Sequence, residues 1–347
     1  KMRRPPSAAP LYSSAASDVY KRQNSLFEDN AEFGLGMRMA ANVQTELARR
    51  RLQEVSSQLD PEFVEDLLHA PQLTEHDLQS QQHRVKELQA KLADMEQTPA
   101  VRDLMSVADH LLRRSVWIIG GDGWAYDIGS GGVDHVLASG RDVNVLVLDT
   151  EVYSNTGGQA SKSTPLGAVA KFASAGKPTA KKDMALQAIA YGSVYVARVA
   201  LGADPQQTLR AFREAEAYPG PSLIIAYSHC IAHGYDLRNG LDQQYKAVHC
   251  GHWPLMRYNP VLADEGRNPF LLDSPKPDET WREYTKLELR YRMLQKAHPE
   301  EAERMLDLGQ RQVERRYAEY AEMASRTAED FAVDARMSEF AASSNRA

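Results

Sequence analysis

The segment GGDGWAYDIG, residues 120–129, follows the short apolar run 116–119, and the segment TEVYSNTGG, residues 150–158, follows a second apolar run at 143–148. Short, nearly continuous apolar runs are typical of strands in a parallel sheet that is covered on both faces. A helical stretch and a turn at Gly140 separate the two runs, as in a β-α-β unit. In open α/β sheets ligands bind beyond the carboxyl ends of such strands, so we expect these two segments, the first turn and the second turn, to form one binding site.

The two turns carry ligands for a cation that holds a diphosphate. Mg²⁺ takes oxygen ligands in an octahedron and uses one or two carboxylates together with phosphate oxygens. Asp122 supplies the carboxylate, Thr150 offers a hydroxyl, and an unpaired carbonyl of the second turn can complete the set. The glycines beside Asp122 let the backbone approach phosphate closely, and the amides that follow can start an anion-binding helix. Asn155 can both donate to and accept from a substrate.

The tripeptide Gly-Asp-Gly is not by itself diagnostic of a binding site. It is ordinary turn chemistry, and only the second turn makes a binding site the better interpretation. A dinucleotide-binding fingerprint G-x-G-x-x-G that starts at Gly121 would need glycine where the sequence has Tyr126. The dinucleotide hypothesis therefore fails at its third glycine.

Four segments of the chain closely resemble one known family. They are GDGWAYDIG (121–129), NVLVLDTEVYSNTGGQ (144–159), AVAKFASAGK (168–177) and PGPSLIIAYSHCIAHG (219–234). They are similar to the thiamine-diphosphate domain of pyruvate:ferredoxin (flavodoxin) oxidoreductase, and the resemblance runs from about Asn24 to the C-terminal helices. It implies an α/β class, a parallel-sheet thiamine-diphosphate-binding fold with flanking helical segments.

The resemblance implies a role for each residue of the two turns. Asp122, the Thr150 hydroxyl and the Val152 carbonyl become ligands of Mg²⁺, and Asn155 faces pyruvate as the catalytic residue. Trp124 is expected to line the cofactor, whereas Tyr126 is assigned to the core. The residues implied to contact thiamine diphosphate are Gly121, Asp122, Gly123, Trp124, Thr150, Glu151, Val152, Tyr153, Ser154 and Asn155.

The family reaction is the CoA-dependent oxidative decarboxylation of pyruvate to acetyl-CoA and CO₂, with single electrons passing through iron-sulfur clusters to ferredoxin or flavodoxin. The cofactor performs the difficult chemistry, so no Ser/His/Asp set is required. The implied partners are pyruvate, CoA, ferredoxin or flavodoxin, the remaining domains of the parent enzyme, and a second copy in a homodimer. Two alternatives stay open. One is a non-oxidative 2-oxo-acid decarboxylase, which would have no use for an iron-sulfur ligand such as Cys230. The other is a cofactor-binding module without turnover.

The chain has two cysteines, Cys230 and Cys250, which fits a reducing compartment, expected to be the cytoplasm. In the family a 4Fe-4S cluster takes its fourth cysteine from the turn that reads Tyr-Ser-His-Cys here, which implies that Cys230 is that ligand. The other three should precede Asn24, and none is present. With one of four cluster ligands, we expect the isolated chain to be catalytically silent.

A zinc site is the alternative use of this region. The soft or borderline ligands available to it are His229, Cys230, His233, His249, Cys250 and His252. Clustering of His and Cys in loops is common by chance, so we favour a packing role for Cys250 and for the histidines. The nearby basic residues Lys171, Lys177, Lys181 and Lys182 are interpreted as a solvated face, with an anionic group such as CoA as the alternative contact.

Residues 1–23 differ in composition from the rest, being rich in Arg, Ser and Ala. We interpret them as a foreign or disordered leader at a cloning or assembly junction, and the chain as a fragment; a transit peptide is the alternative. The formal net charge of −6 argues against nucleic acid or an anionic membrane as a partner. No apolar run approaches the roughly 20 residues of a membrane span.

The rest of the chain divides into three predicted parts. Residues 24–114 show helical spacing of apolar residues, as at Val85, Leu88 and Leu92. Residues 115–277 form the α/β core, with further strands at 193–199 and 222–227, a helix at 205–216, and an irregular cluster loop from Cys230 onward. Residues 278–347 contain charged helices and a tail that we expect to be disordered.

Overall fold

A computed structural model describes residues 28–331 and divides the chain into two compact units. The helical unit comprises residues 34–116, and the sheet unit contains residues 28–33 and 117–331 of the described range. The predicted leader at 1–23 lies outside the described residues, as does most of the predicted tail.

The helical unit has four helices with an apolar core. Pro61 and Pro99 occupy the first turns of two helices, where the missing amide proton is not needed. Thr74 and Asp77 form a capping box, in which each side chain accepts from the other's backbone amide. The helices are α1 (Asn30–Val55, which begins in the sheet unit), α2 (Pro61–His69), α3 (Glu75–Asp94) and α4 (Pro99–Val107).

The core of the helical unit confirms the predicted helical spacing. Val85, Leu88 and Leu92 all point inward on α3, with Leu88 and Leu92 fully buried. They pack with Leu52 of α1 and Leu104 of α4. This unit is therefore held together by burial of an apolar stripe from each helix.

The sheet unit contains six strands in the order β1-β2-β4-β3-β5-β6. The first four strands in this order are parallel, and β5 and β6 join antiparallel at one side. The strands are β1 (Trp117–Gly121), β2 (Asn144–Asp149), β3 (Tyr195–Val199), β4 (Ser222–Tyr227), β5 (Met256–Tyr258) and β6 (Phe270–Leu272). The predicted α/β class is confirmed.

The register of the sheet aligns the ends of three neighbouring strands. Gly121 of β1 pairs with Leu148 of β2, and Asp149 of β2 pairs with Tyr227 of β4. The turns that follow β1, β2 and β4 therefore open at the same carboxyl edge. The connecting helices are α5 (Ser130–Ala138), α6 (Met184–Ile189) and α7 (Pro205–Ala217).

The prediction of an irregular loop after Cys230 is wrong in part. It contains helix α8 (Gly240–His249), the short helix α9 (Val261–Asp264), and strands β5 and β6. Each of these strands has three residues and is stabilised by pairing with a partner strand, so local sequence gives little signal. The C-terminal helices are α10 (Trp281–Thr285), α11 (Leu289–Ala297) and α12 (Pro299–Ser325).

Within residues 28–331, no helix combines the length and apolar character that crossing a bilayer requires.

Candidate functional site

The first and second turns bring three oxygen groups together at the carboxyl edge of the sheet. The Thr150 hydroxyl lies 2.8 Å from Asp122 Oδ1 and 2.9 Å from the Val152 carbonyl oxygen. The Thr150 amide also donates to Asp122 Oδ1, at 3.3 Å. We name the Asp122 carboxylate, the Thr150 hydroxyl and the Val152 carbonyl the oxygen cluster. These are the groups for which the resemblance implies a role as Mg²⁺ ligands.

The electrostatic setting of Asp122 suits a bound cation. Asp122 is 1% exposed, and burial together with the negative charge of Asp149 raises its pKa to about 7. Its Oδ2 accepts from the Ser161 hydroxyl at 2.7 Å, and no lysine, arginine or histidine among the described residues forms an ion pair with it. A nearby cation would stabilise this buried carboxylate, and a donor set made only of oxygens fits Mg²⁺.

The first turn folds as a π-helix, Gly123–Ile128, that begins directly after Asp122. The Gly129 amide donates to the Trp124 carbonyl at 2.8 Å, which is the hydrogen bond of a π-helix. Trp124 is 6% exposed. Tyr126 is buried as predicted, and its hydroxyl donates to Asp149 at 2.8 Å.

The second turn connects the oxygen cluster to Cys230. The Ser154 hydroxyl lies 2.8 Å from the Thr150 hydroxyl and donates to the Cys230 sulfur at 3.3 Å. Cys230 is partly buried and follows shortly after β4. Tyr153 is also partly buried, whereas Asn155 is exposed. The structure therefore places Cys230 at the same sheet edge as the oxygen cluster.

The Glu151 side chain has no exposed surface. Its Oε1 accepts from His252 Nε2 at 2.8 Å and from Lys181 Nζ at 3.2 Å. Its Oε2 accepts from Arg290 Nη2 at 2.7 Å. These contacts occupy both carboxylate oxygens and direct the Glu151 side chain into the core.

These contacts belong to a buried ion cluster that the sequence pattern does not predict. Lys181 also donates to Asp149 Oδ2 at 2.8 Å, and Arg290 donates to Glu288 at 2.5 Å. Burial alone would raise the pKa of Glu151, but His252, Lys181 and Arg290 hold it well below its ordinary value. The members of the cluster are Asp149, Glu151, Lys181, His252, Glu288 and Arg290.

The interpretation of the four lysines as a solvated face is wrong for Lys177 and Lys181, which are each 8% exposed. Lys177 Nζ donates to the Thr164 carbonyl at 2.5 Å and to the Lys162 carbonyl at 3.3 Å. Burial, with a contribution from the positive charge of Lys181, lowers the pKa of Lys177 to about 8. A run of charged residues in the sequence does not show which of their side chains are buried.

The alternative zinc site is not formed by residues 28–331, in which no group of three or more His, Cys, Asp or Glu side chains could hold a metal ion. His233 Nε2 donates instead to the Thr150 carbonyl at 2.7 Å, and His249 pairs with Asp278 at 2.8 Å. Cys250 is buried, and its thiol contacts the Ala247 carbonyl at 3.4 Å. Burial raises the pKa of the Cys250 thiol, which fits the predicted packing role.

The fold and the two turns match a class of cofactor-dependent enzymes. Residues 104–226 match the model of the thiamine pyrophosphate enzyme C-terminal TPP binding domain. The cofactor of this class is thiamine diphosphate, as the motifs of the two turns imply. The matched range contains β1, β2, β3 and the oxygen cluster.

The curated relatives define the resemblance more closely. The chain is 55% identical over 306 residues to the pyruvate-flavodoxin oxidoreductase of Trichormus variabilis, with 87% of this chain and 26% of that protein aligned. It is 53% identical over 308 residues to the pyruvate-flavodoxin oxidoreductase of a Nostoc species, with 87% and 26% aligned. It is 48% identical over 308 residues to the pyruvate:ferredoxin oxidoreductase of Moorella thermoacetica, again with 87% and 26% aligned.

The chain is therefore homologous to one part of the pyruvate-flavodoxin and pyruvate:ferredoxin oxidoreductases, and the predicted resemblance is confirmed. It spans about a quarter of the length of the curated relatives that it matches.

Proposed function

We propose that this chain holds thiamine diphosphate and Mg²⁺ in an enzyme that converts pyruvate and CoA to acetyl-CoA and CO₂ and passes electrons to ferredoxin or flavodoxin. The observation that carries the proposal is the oxygen cluster, in which the Thr150 hydroxyl is within 2.9 Å of both Asp122 and Val152. The names of the relatives support pyruvate as the substrate and flavodoxin or ferredoxin as the electron acceptor. The enzyme works in the cytoplasm as a homodimer with further domains.

The residues of the chain bind, orient and shield the cofactor. Asp122, Thr150 and Val152 would hold Mg²⁺, which would neutralise the charge of the diphosphate. Gly121, Gly123, Trp124, Tyr153 and Ser154 line the cofactor together with the backbone of Glu151. When bound, thiamine diphosphate supplies the nucleophilic carbon and the electron sink for decarboxylation.

The exposed Asn155 is the residue that contacts pyruvate. Its side chain has both a donor and an acceptor, so it can orient the carboxylate or the keto oxygen of the substrate. Asn155 is close in sequence to Ser154, whose hydroxyl links the oxygen cluster to Cys230. Substrate, metal and sulfur thus share one edge of the sheet.

Cys230 would be one of four cysteine ligands of a 4Fe-4S cluster, which would supply one-electron chemistry to the enzyme. Cys230 is partly buried, and its sulfur accepts from the Ser154 hydroxyl at 3.3 Å. The only other cysteine of the chain, Cys250, is buried and does not suit this role. The remaining three ligands therefore come from elsewhere in the enzyme.

Calorimetric titration of thiamine diphosphate into the chain, with and without Mg²⁺, tests the proposed site. We expect Mg²⁺-dependent binding, and we expect Asp122→Asn to weaken it by more than about tenfold because it removes the charged ligand. Asp273→Asn is the matched control. Asp273 forms a largely buried ion pair with Arg257 of β5 at 2.8 Å, and β4 and β3 separate β5 from β2. This control should leave cofactor binding unchanged.

Two outcomes would contradict the proposal. If the unaltered chain fails to bind thiamine diphosphate in the presence of Mg²⁺, the chain does not hold this cofactor. If a folded Asp122→Asn variant binds with unchanged affinity, the oxygen cluster is not the metal site.

A further inference from the structure

Glu151 has an unusual backbone conformation. Its φ is +59°, in the left-handed region, and among the described residues only Phe172 shares a positive φ without being glycine. Glycine adopts this conformation freely, whereas a residue with a long side chain is strained in it. Such strain persists only where the surroundings hold it, and it occurs most often at functional sites.

The surroundings hold every polar atom of Glu151. Its amide donates to Asp149 Oδ1 at 3.0 Å, and its carbonyl accepts from the Thr164 hydroxyl at 2.7 Å. Its two carboxylate oxygens accept from the three donors of the buried ion cluster, Lys181, His252 and Arg290. These donors come from the segment before α6, the segment after α8, and α11. Residues far apart in sequence thus fix one residue of the second turn.

The position of Glu151 gives this anchoring a consequence for the oxygen cluster. Glu151 lies between Thr150 and Val152, and its side chain is drawn into the core. The left-handed turn at Glu151 brings the Thr150 hydroxyl within 2.9 Å of the Val152 carbonyl. In an extended chain, residues 150 and 152 would lie about 6.6 Å apart along the strand, so these two groups would not meet.

We propose that Glu151 is a positioning residue whose anchored carboxylate sets the spacing of the Thr150 and Val152 ligands and so makes the site selective for Mg²⁺ over larger cations. This inference rests on the proposed function. Mg²⁺ demands a nearly ideal octahedron with short bonds, whereas Ca²⁺ accepts longer bonds and irregular geometry. A loosened second turn therefore weakens the binding of Mg²⁺ more than that of Ca²⁺.

The test measures thiamine diphosphate binding by the full chain with Mg²⁺ and with Ca²⁺, in the unaltered protein and in Glu151→Gln. The glutamine keeps the length of the side chain but loses its charge and one acceptor. We expect Mg²⁺-supported binding to weaken about tenfold or more, as for the loss of other residues that orient metal ligands. We expect Ca²⁺-supported binding to change much less, so that the ratio of the two affinities falls.

Two controls separate positioning from general damage to the fold. Asp273→Asn also disrupts a largely buried ion pair, so it should lower thermal stability while leaving the ratio of the Mg²⁺ and Ca²⁺ affinities unchanged. His252→Phe keeps a ring at this position but removes one of the three donors to Glu151, and it should shift the ratio in the same direction by a smaller factor. If Glu151→Gln does not fold, His252→Phe decides by the same ratio.

The outcomes distinguish this inference from the function on which it rests. If a folded Glu151→Gln variant has the same ratio of Mg²⁺-supported to Ca²⁺-supported affinity as the unaltered chain, the positioning role is overturned. This holds whether both affinities are unchanged or are weakened equally. The proposed function would still stand. If the unaltered chain binds thiamine diphosphate neither with Mg²⁺ nor with Ca²⁺, the positioning role and the proposed function are both overturned.

Discussion

At the scale of single residues, the first turn leaves no room for side chains at several glycines, among them Gly120 and Gly123. A Cβ at Gly120 would lie 2.3 Å from the Trp124 ring, and a Cβ at Gly123 would lie 2.4 Å from the Tyr153 ring. Neither glycine has a positive φ. Glycine is therefore required at these positions because aromatic rings pack directly against the backbone. The glycines of the motif GDGW thus serve packing as well as cofactor binding.

Gly123→Ala tests this packing. Forcing a methyl group against the Tyr153 ring should destabilise the protein by about 1–3 kcal/mol, as overpacking does, and should weaken Mg²⁺-dependent cofactor binding. Gly131→Ala is the matched control, because a Cβ at Gly131 meets no atom within 4 Å. In helix α5 this control should be neutral or stabilising by less than about 1 kcal/mol. Urea unfolding measures both, and equal effects of the two substitutions would contradict the packing argument.

At the scale of elements, the segment between β2 and α6 is ordered without regular secondary structure. Isolated bridges join Tyr153 to Gln159 and Gln159 to Lys171. Lys177 is central to this segment, because its backbone pairs with Gly167 and Ala168 while its buried ammonium group bonds two carbonyls. A buried lysine of this kind restrains a loop but is costly to keep charged.

The lowered pKa of Lys177 predicts a pH dependence of stability. The pKa is about 8 in the folded protein against 10.5 for an ordinary lysine, so between these values the unfolded chain binds more protons. The free energy of unfolding should therefore rise with pH across this window, by up to about 1.4 kcal/mol per pH unit. Lys177→Met should abolish this rise. Chemical denaturation of both proteins between pH 7.5 and 10 measures the difference, and parallel curves would contradict the assignment.

At the scale of the whole molecule, the helical unit has a core of its own. Leu52, Leu88, Leu92 and Leu104 are fully buried in a cluster formed entirely by residues of that unit. The oxygen cluster and the buried ion cluster belong to the sheet unit. Stability and cofactor binding are thus expected to respond to different substitutions.

Leu88→Ala tests this separation. The cavity should cost the helical unit about 2–5 kcal/mol. Hydrogen exchange followed by mass spectrometry should show faster exchange in peptides from 34–116, with protection in β1, β2 and β4 retained and thiamine diphosphate affinity unchanged. A comparable loss of protection in the strands would show that the two units unfold as one.

The sequence predicts what is encoded locally. The strand at 222–227 and both turns follow from apolar runs and oxygen-rich residues that are neighbours in the chain. The buried ion cluster could not be predicted in this way, because Lys181, His252 and Arg290 lie 30, 101 and 139 residues from Glu151. Strands β5 and β6 were missed for a related reason, since a three-residue strand is defined by its partner.

The buried ion cluster also bears on how the protein responds to heat. The hydration of charged groups becomes less favourable as temperature rises, so the penalty for keeping Lys181, Glu151 and Arg290 away from water declines. Hydrophobic stabilisation per unit area reaches a plateau over the same range. On warming, the conformation of the second turn should therefore lose less stability than elements held by apolar contacts alone. On cooling, this difference in stability should become smaller.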